Sequence, residues 1–209
     1  MNNSSDLRTQ TETNLERKKT WVGLAHDVST LVYCMVFIPI CCIAITNNTN
    51  PFGPILDALS YIYFITTGII NMYHHEYAFV FHHIACISMV WANNYNDGNY
   101  SLWLATCYFA EVSNIFLSMK NVLKHIKKYI KINPLIEQIN NVMFIVAYFA
   151  IRIFYLIPLT TKFMFEHISD LNYKYLIAIN VFIMCTLNLY WGYLILLKVI
   201  KIWNVKKSD

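Results

Sequence analysis

Residues 29–47 read STLVYCMVFIPICCIAITN and contain no charged side chain. A helix of about 20 apolar residues crosses the hydrocarbon core of a bilayer, and this stretch has about that length. The rest of the chain is similar, because 57% of its 209 residues are hydrophobic and only 13% are charged. Soluble domains carry about 25% charged residues. The composition therefore predicts a multi-pass membrane protein and excludes a disordered chain or a disulfide-stapled secreted domain.

Five further stretches are long and apolar enough to be read as spans. The six predicted spans cover residues 29–47, 54–73, 77–94, 100–119, 139–159 and 174–198. The predicted fold is thus an all-α, polytopic helical bundle. It comprises a polar N-terminal tail (1–28), a six-helix transmembrane domain (29–200) and a short C-terminal tail (201–209).

The positions of the basic residues predict the orientation of the spans, because cytoplasmic loops are enriched in Lys and Arg. Thirteen of the sixteen Lys and Arg residues lie in the N-terminal tail, between the fourth and fifth spans, or at the C-terminal end. Six spans place these three regions on one side, whereas the loops of the other side carry only Lys162 and Lys174. Both termini are therefore predicted to be cytoplasmic.

The last four residues, Lys206-Lys207-Ser208-Asp209, resemble a di-lysine retrieval signal. Such a signal acts at a cytoplasmic C-terminus, which the predicted topology provides. We therefore expect the protein in the endoplasmic reticulum membrane, or in host-cell membranes if the gene is viral.

Ionisable side chains inside the spans are the candidate catalytic residues, because burying a charge in a bilayer is costly and needs a reason. His82 and His83 lie about 8 Å inside the cytoplasmic end of the third span, at 1.5 Å per residue. Glu111 lies about 12 Å from the corresponding end of the fourth span. Since a short loop makes these spans neighbours, we expect the carboxylate to contact and orient an imidazole. The alternative is a purely structural hydrogen-bond cluster.

Arg152 is the one basic residue in the middle of the fifth span. At about 20 Å from the cytoplasmic end, it is predicted to be too far from Glu111 for direct pairing. We expect it to extend towards the lumen or to pair with Asp57.

Four other side chains are candidates for contact with a lipid or acyl chain, and packing is the alternative role for each. They are Ser113, Asn114, Asn188 and Trp191.

The cysteines and histidines do not predict a metal site. All six cysteines lie in apolar stretches without a CxxC pair, and zinc sites need clustered ligands. The seven histidines lack the repeated HxxxH and HxxHH spacings of di-iron membrane hydroxylases. No cofactor or nucleic-acid partner is predicted.

The order of the polar residues resembles that of the TLC-domain family of membrane proteins. His82-His83 is followed, after 27 intervening residues, by the segment EVSNIFLSMK at 111–120. Two further elements fit the resemblance, FxxRxxYxxP at 149–158 and LNLYW at 187–191. The resemblance extends over about residues 20–205.

The resemblance implies a protein that acts on acyl lipids, and that family includes ceramide synthases, which transfer an acyl group from acyl-CoA to an amine. It implies a catalytic role for the histidine pair. Ceramide synthases carry His, Asp and Glu at the positions that align with Ala110, Asn114 and Ser118. These differences place the chain nearer the TLC-domain proteins that are not ceramide synthases.

Three functions remain open from the sequence. In the first, the protein binds or modifies acyl lipids within the bilayer and thereby takes part in lipid homeostasis, with membrane lipids as its partners. Alternatively, it is an N-acyltransferase similar to ceramide synthases, in which case acyl-CoA is the co-substrate and the basic segment between spans four and five attracts its phosphates. The last alternative is a non-enzymatic membrane regulator or trafficking adaptor.

Overall fold

A computed structural model describes the backbone of residues 3–47, 49 and 54–205, and the side chains of residues 21–47, 49, 56–201 and 203. The helices, in chain order, are α1 (Asn3–Thr46), α2 (Pro54–Tyr73), α3 (Tyr77–Asn93), α4 (Gly98–Cys107), α5 (Glu111–Ile126), α6 (Pro134–Ala147), α7 (Ile157–His167) and α8 (Lys174–Val205). A 3₁₀ turn (Tyr108–Ala110) joins α4 to α5, and a π-helix (Tyr148–Leu156) joins α6 to α7. This described part contains no β-strand, which confirms the all-α fold.

Four helical stretches within the described residues have the length and apolar composition of membrane spans. They are Trp21–Thr46, Gly98–Ile126, Pro134–His167 and Lys174–Lys201. These stretches confirm a membrane-spanning helical bundle. The count of six spans and the cytoplasmic termini stay predictions, as does the di-lysine signal, because Lys206–Asp209 lie outside the described residues.

Several helices extend further than the predicted spans. The helix that carries Glu111 continues to Ile126, well past the predicted end at residue 119. The helix of the fifth predicted span, α6, begins at Pro134 rather than at residue 139. Asn133 caps it by accepting a hydrogen bond from the backbone N–H of Leu135 at 2.9 Å. Proline at a first helical position has a pre-set backbone angle and no N–H to leave unsatisfied. Hydropathy alone therefore underestimated both helices.

The helices contact one another in a closed ring. α1 packs on α5 and α5 on α6, while α2 packs on α3 and α3 on α8. The helices α1, α5 and α6 thus form one row, and α2, α3 and α8 form another. The rows are joined where α1 contacts α2 and where the π-helix, which follows α6, contacts α8. This arrangement places α3, α5 and the π-helix around one interior.

Side chains close the end of the bundle that the sequence predicts to face the lumen. The backbone N–H of Asn172 donates to Oδ1 of Asn96 at 2.8 Å, which ties the loop before α8 to the loop before α4. Deeper in, Trp103 stacks on Phe163 with ring centroids 4.7 Å apart. An interior space therefore lies towards the opposite end, which we call the predicted cytoplasmic end.

Candidate functional site

The π-helix places a cationic side chain inside the bundle. Arg152 lies in the middle of this segment and is only 2% exposed. π-Helical turns are rare and are frequently found at functional sites. The guanidinium also lies beside the ring of Tyr148, with Cζ 5.5 Å from the ring centroid. A buried cation of this kind persists only if its N–H groups find acceptors.

Four hydrogen bonds satisfy the Arg152 guanidinium. Nε donates to Oγ of Ser113 at 2.7 Å, and Nη1 donates to Oδ1 of Asn188 at 3.0 Å. Nη2 donates to the carbonyl of Ala110 and to Oδ1 of Asn114, each at 3.0 Å. These bonds join the π-helix to α5 and α8, so a single side chain links three elements of the ring.

Asn114 connects this cation to a buried carboxylate. Its Nδ2 donates to Oε2 of Glu111 at 2.8 Å, while its Oδ1 accepts from Arg152. The same carboxylate oxygen accepts a weaker bond from the thiol of Cys34 at 3.4 Å. Glu111 is 5% exposed, so the amide of Asn114 bridges two buried, opposite charges. We call Glu111, Asn114 and Arg152 the charge bridge.

The two histidines lie on α3 and are buried, although each makes only one hydrogen bond through its ring in the described structure. Nε2 of His83 lies 3.0 Å from Nδ2 of Asn71, and Nε2 of His82 lies 3.7 Å from the thiol of Cys86. The two imidazole centroids are 5.4 Å apart. The ring of His82 also meets Trp191 edge-on, at a centroid distance of 5.6 Å. These contacts anchor the pair to α2 and α8.

A cavity of about 540 Å³ brings these groups together. His82, His83 and the charge bridge all line it, and together they form what we call the polar floor. Five large apolar side chains from α3, α6 and α8 make up much of the wall; they are Phe79, Phe144, Trp191, Leu194 and Ile195. Cavities of this size commonly bind small molecules. A polar floor below an apolar wall matches an amphiphilic ligand.

Charged residues surround the cavity at the predicted cytoplasmic end. Lys120 on α5 and Lys198 on α8 line it, and so do Asp27 on α1 and Glu76 before α3. Asp27 accepts a hydrogen bond from Asn121 at 3.0 Å. Among the described side chains, neither of these two lysines forms an ion pair. We call these four charged residues the rim.

The structure brings together most of the predicted site residues, but it gives them different partners. Asn114 and Trp191, predicted to contact lipid, line the cavity together with the candidate catalytic residues. Ser113 and Asn188 hold Arg152 instead and are not among the described lining residues. The hydroxyl of Ser113 accepts from Arg152 and donates its only proton to the carbonyl of Ala110. Their predicted contact with lipid, like the catalytic role of the histidines, stays a prediction.

The predicted contact between Glu111 and a histidine is wrong. In the described part of the chain, the carboxylate bonds to Asn114 and Cys34, and neither imidazole bonds to it. The donors are taken from elsewhere, because Asn114 on the same helix donates to the carboxylate and His83 bonds to Asn71.

The predicted pairing of Arg152 with Asp57, or its extension towards the lumen, is also wrong. Arg152 is turned inward by the four bonds described above, and Oδ1 of Asp57 is buried without a hydrogen-bond partner among the described residues. The acceptors that Ser113 and Asn114 on α5 and Asn188 on α8 provide explain this result.

Asn71 is a residue of the site that the sequence did not single out. It is 4% exposed, lines the cavity and bonds to His83. The available signal was an amide near the end of an apolar span, three residues before the histidines that begin at His74.

The described residues contain no group of three or more His, Cys, Asp or Glu side chains that could hold a metal ion.

The sequence model of the TLC domain matches residues 18–197, which include every residue of the polar floor and nearly all of the rim. The chain belongs to the TLC-domain family. No curated protein and no solved structure matches it. The family inferred from the histidine pair and the segment at 111–120 is therefore confirmed, whereas the branch within the family stays a prediction.

The charge bridge predicts that Asn114 stabilises this TLC-domain protein. Asn114→Leu keeps a similar volume but leaves one guanidinium N–H without a partner and the Glu111 carboxylate with only the weaker bond from Cys34. We expect the free energy of unfolding to fall by about 2–4 kcal/mol, since each unsatisfied buried polar group costs about 1–3 kcal/mol and charged groups cost more. Unfolding in mixed micelles measures this change.

Asn121→Leu is the matched control, because Asn121 is exposed and bonds only to Asp27 in the described structure. It should cost less than about 1 kcal/mol, as exposed polar pairs do. Equal losses in both variants would contradict a bridging role for Asn114.

Proposed function

We propose that this protein binds an acyl lipid in its interior cavity and acts in this way on membrane lipid composition. The observation that supports the proposal is the amphiphilic lining of the cavity. Phe144, Leu194 and Ile195 offer apolar surface to an acyl chain, and polar groups of the rim and the floor offer hydrogen bonds to the headgroup and ester of a lipid. Ligand sites are mostly apolar with a few placed polar groups, and this cavity has that composition.

The location of the cavity supports a membrane lipid as the ligand. The cavity lies between helices of a membrane-spanning bundle, and its rim is on the predicted cytoplasmic end. A lipid of the cytoplasmic leaflet would have its headgroup at the level of the rim. We also propose that the membrane in question is that of the endoplasmic reticulum, which rests on the di-lysine end of the sequence.

Filling the cavity should prevent lipid binding. Ile195 lines the cavity and is partly buried, so Ile195→Trp adds bulk inside it. The neighbouring Leu196 is 48% exposed and is not among the described lining residues, so Leu196→Trp adds the same bulk elsewhere. We expect Ile195→Trp to reduce binding of radiolabelled 1-oleoylglycerol in nanodiscs by about tenfold, which corresponds to about 1.4 kcal/mol.

Leu196→Trp should bind 1-oleoylglycerol like the wild type. If both variants bind like the wild type, or if the wild type binds no acyl lipid above background, the proposed function is wrong.

A second candidate function is acyl transfer, and the adjacent histidines in the cavity favour it. An acceptor amine or hydroxyl would attack the carbonyl carbon of an acyl-CoA thioester. One imidazole would take the proton of the acceptor, and the leaving thiolate would receive a proton to give free CoA. Imidazole suits this task because its ordinary pKa lies near neutrality.

The double variant His82→Ala/His83→Ala tests the enzymatic function. Wild type and variant are expressed in cells that lack their own ceramide synthases, and microsomes receive labelled acyl-CoA with amine and lysolipid acceptors. We expect transfer by the wild type and at least about a hundredfold loss in the variant, as general acid–base groups contribute about 10²–10⁴-fold.

Phe81→Ala is the control, since Phe81 lies on the same helix but is 59% exposed. Transfer that survives in the histidine variant would rule out catalysis by the pair. No transfer by a folded wild type would leave lipid binding without chemistry.

A further inference from the structure

The two basic side chains of the rim are not neutralised by neighbouring carboxylates. Lys120 is partly buried, and the charged groups that act on it are Lys198 and Lys124, both of which repel it. The carboxylates of Asp27 and Glu76 line the same cavity, but neither forms an ion pair with Lys120 or Lys198 in the described structure. Two like charges from different helices therefore line one cavity without an ion-pair partner among the described side chains.

A gap separates α6 from α8, the helices that carry Phe144 and Leu194 of the apolar wall. α6 packs on α5, and α8 packs on α3, but the described parts of α6 and α8 make no substantial contact with each other. They are linked through the π-helix, where Gly192 approaches Tyr148 so closely that a Cβ atom at this position would lie 3.5 Å from Cε1 of the tyrosine. From Gly192 towards Lys198, α8 instead lines the cavity through Leu194 and Ile195.

Phe144 on α6 and Leu194 on α8 line the cavity from either side of this gap. Leu194 is also 42% exposed. Apolar side chains on both sides make the gap compatible with an acyl chain. The cavity is thus bounded near the gap by apolar residues and, one turn further along α8, by Lys198.

We propose that Lys120 and Lys198 bind the phosphate group of an acyl lipid whose chain lies between α6 and α8. This inference rests on the proposed function and specifies its ligand as a phosphate-bearing lipid. Two ammonium groups supply the charge-assisted hydrogen bonds that a phosphate accepts. A phosphate also relieves the repulsion between the lysines, which a neutral headgroup cannot do. The apolar gap distinguishes a lipid from a soluble phosphate compound.

The test compares two lipids that share one acyl chain. Full-length protein in nanodiscs of neutral lipid is titrated with 1-oleoyl lysophosphatidic acid, with 1-oleoylglycerol and with inorganic phosphate. We expect the lysophosphatidic acid to bind about tenfold more tightly than oleoylglycerol, because charge-assisted hydrogen bonds strengthen binding by about this factor or more. Inorganic phosphate should not compete at comparable concentrations.

Lys120→Gln/Lys198→Gln keeps much of the length of both side chains and removes their charge. We expect this variant to lose the tenfold preference while its affinity for oleoylglycerol is unchanged. Lys128→Gln/Lys131→Gln is the control, because it removes two exposed charges that are not among the lining residues described for the cavity. It should keep the preference.

Each other outcome has a separate meaning. If the lysine variant keeps the preference, or if the control loses it equally, the proposed phosphate site is wrong. Equal binding of both lipids by the wild type also overturns it but leaves the proposed function intact. Competition by inorganic phosphate at comparable concentration would overturn the assignment to a lipid. Failure of the wild type to bind either lipid would instead overturn the proposed function.

Discussion

A guanidinium and a carboxylate lie in the interior of an apolar bundle, and either charge would be costly there alone. The amide of Asn114 makes both tolerable, because its Nδ2 donates to Glu111 and its Oδ1 accepts from Arg152. Arg152 also bonds to Ser113 and Asn188, so the charge bridge ties together α5, the π-helix and α8. The link between the π-helix, α5 and α8 depends on these contacts, together with the bond that Oη of Tyr148 donates to the carbonyl of Asn188 at 2.7 Å.

The charge bridge also determines what the cavity can hold. It keeps the polar floor close to neutral, so the floor does not need a charged ligand, although Nδ1 of His82 and Nδ1 of His83 have no partner among the described residues. The rim differs, because Lys120 and Lys198 form no ion pair with the described carboxylates. Apolar side chains also line the cavity. Our proposals assign the phosphate of the ligand to the rim and its acyl chain to the apolar wall.

The fold class followed from composition and from the length of the apolar stretches, and the family followed from the spacing of His82, His83 and Glu111. The partners of these residues could not be predicted. Hydropathy placed the end of the helix that carries Glu111 about seven residues too early. It also could not predict the π-helical turns around Arg152. Asn71 was missed because a single amide in an apolar span has no pattern of its own. Hydropathy locates a span but does not fix depth or rotation, and contacts between spans depend on both.

A double-mutant cycle on Glu111 and Arg152 tests the central claim most directly. The free energy of unfolding in mixed micelles is measured for the wild type, Glu111→Gln, Arg152→Met and the double variant. Removing one charge leaves the other buried without an opposite charge, so each single change should cost about 3–5 kcal/mol. The account predicts that the double variant loses at least about 2 kcal/mol less than the sum, as coupled sites do. Additive losses would show that the two charges do not stabilise each other and would contradict the account.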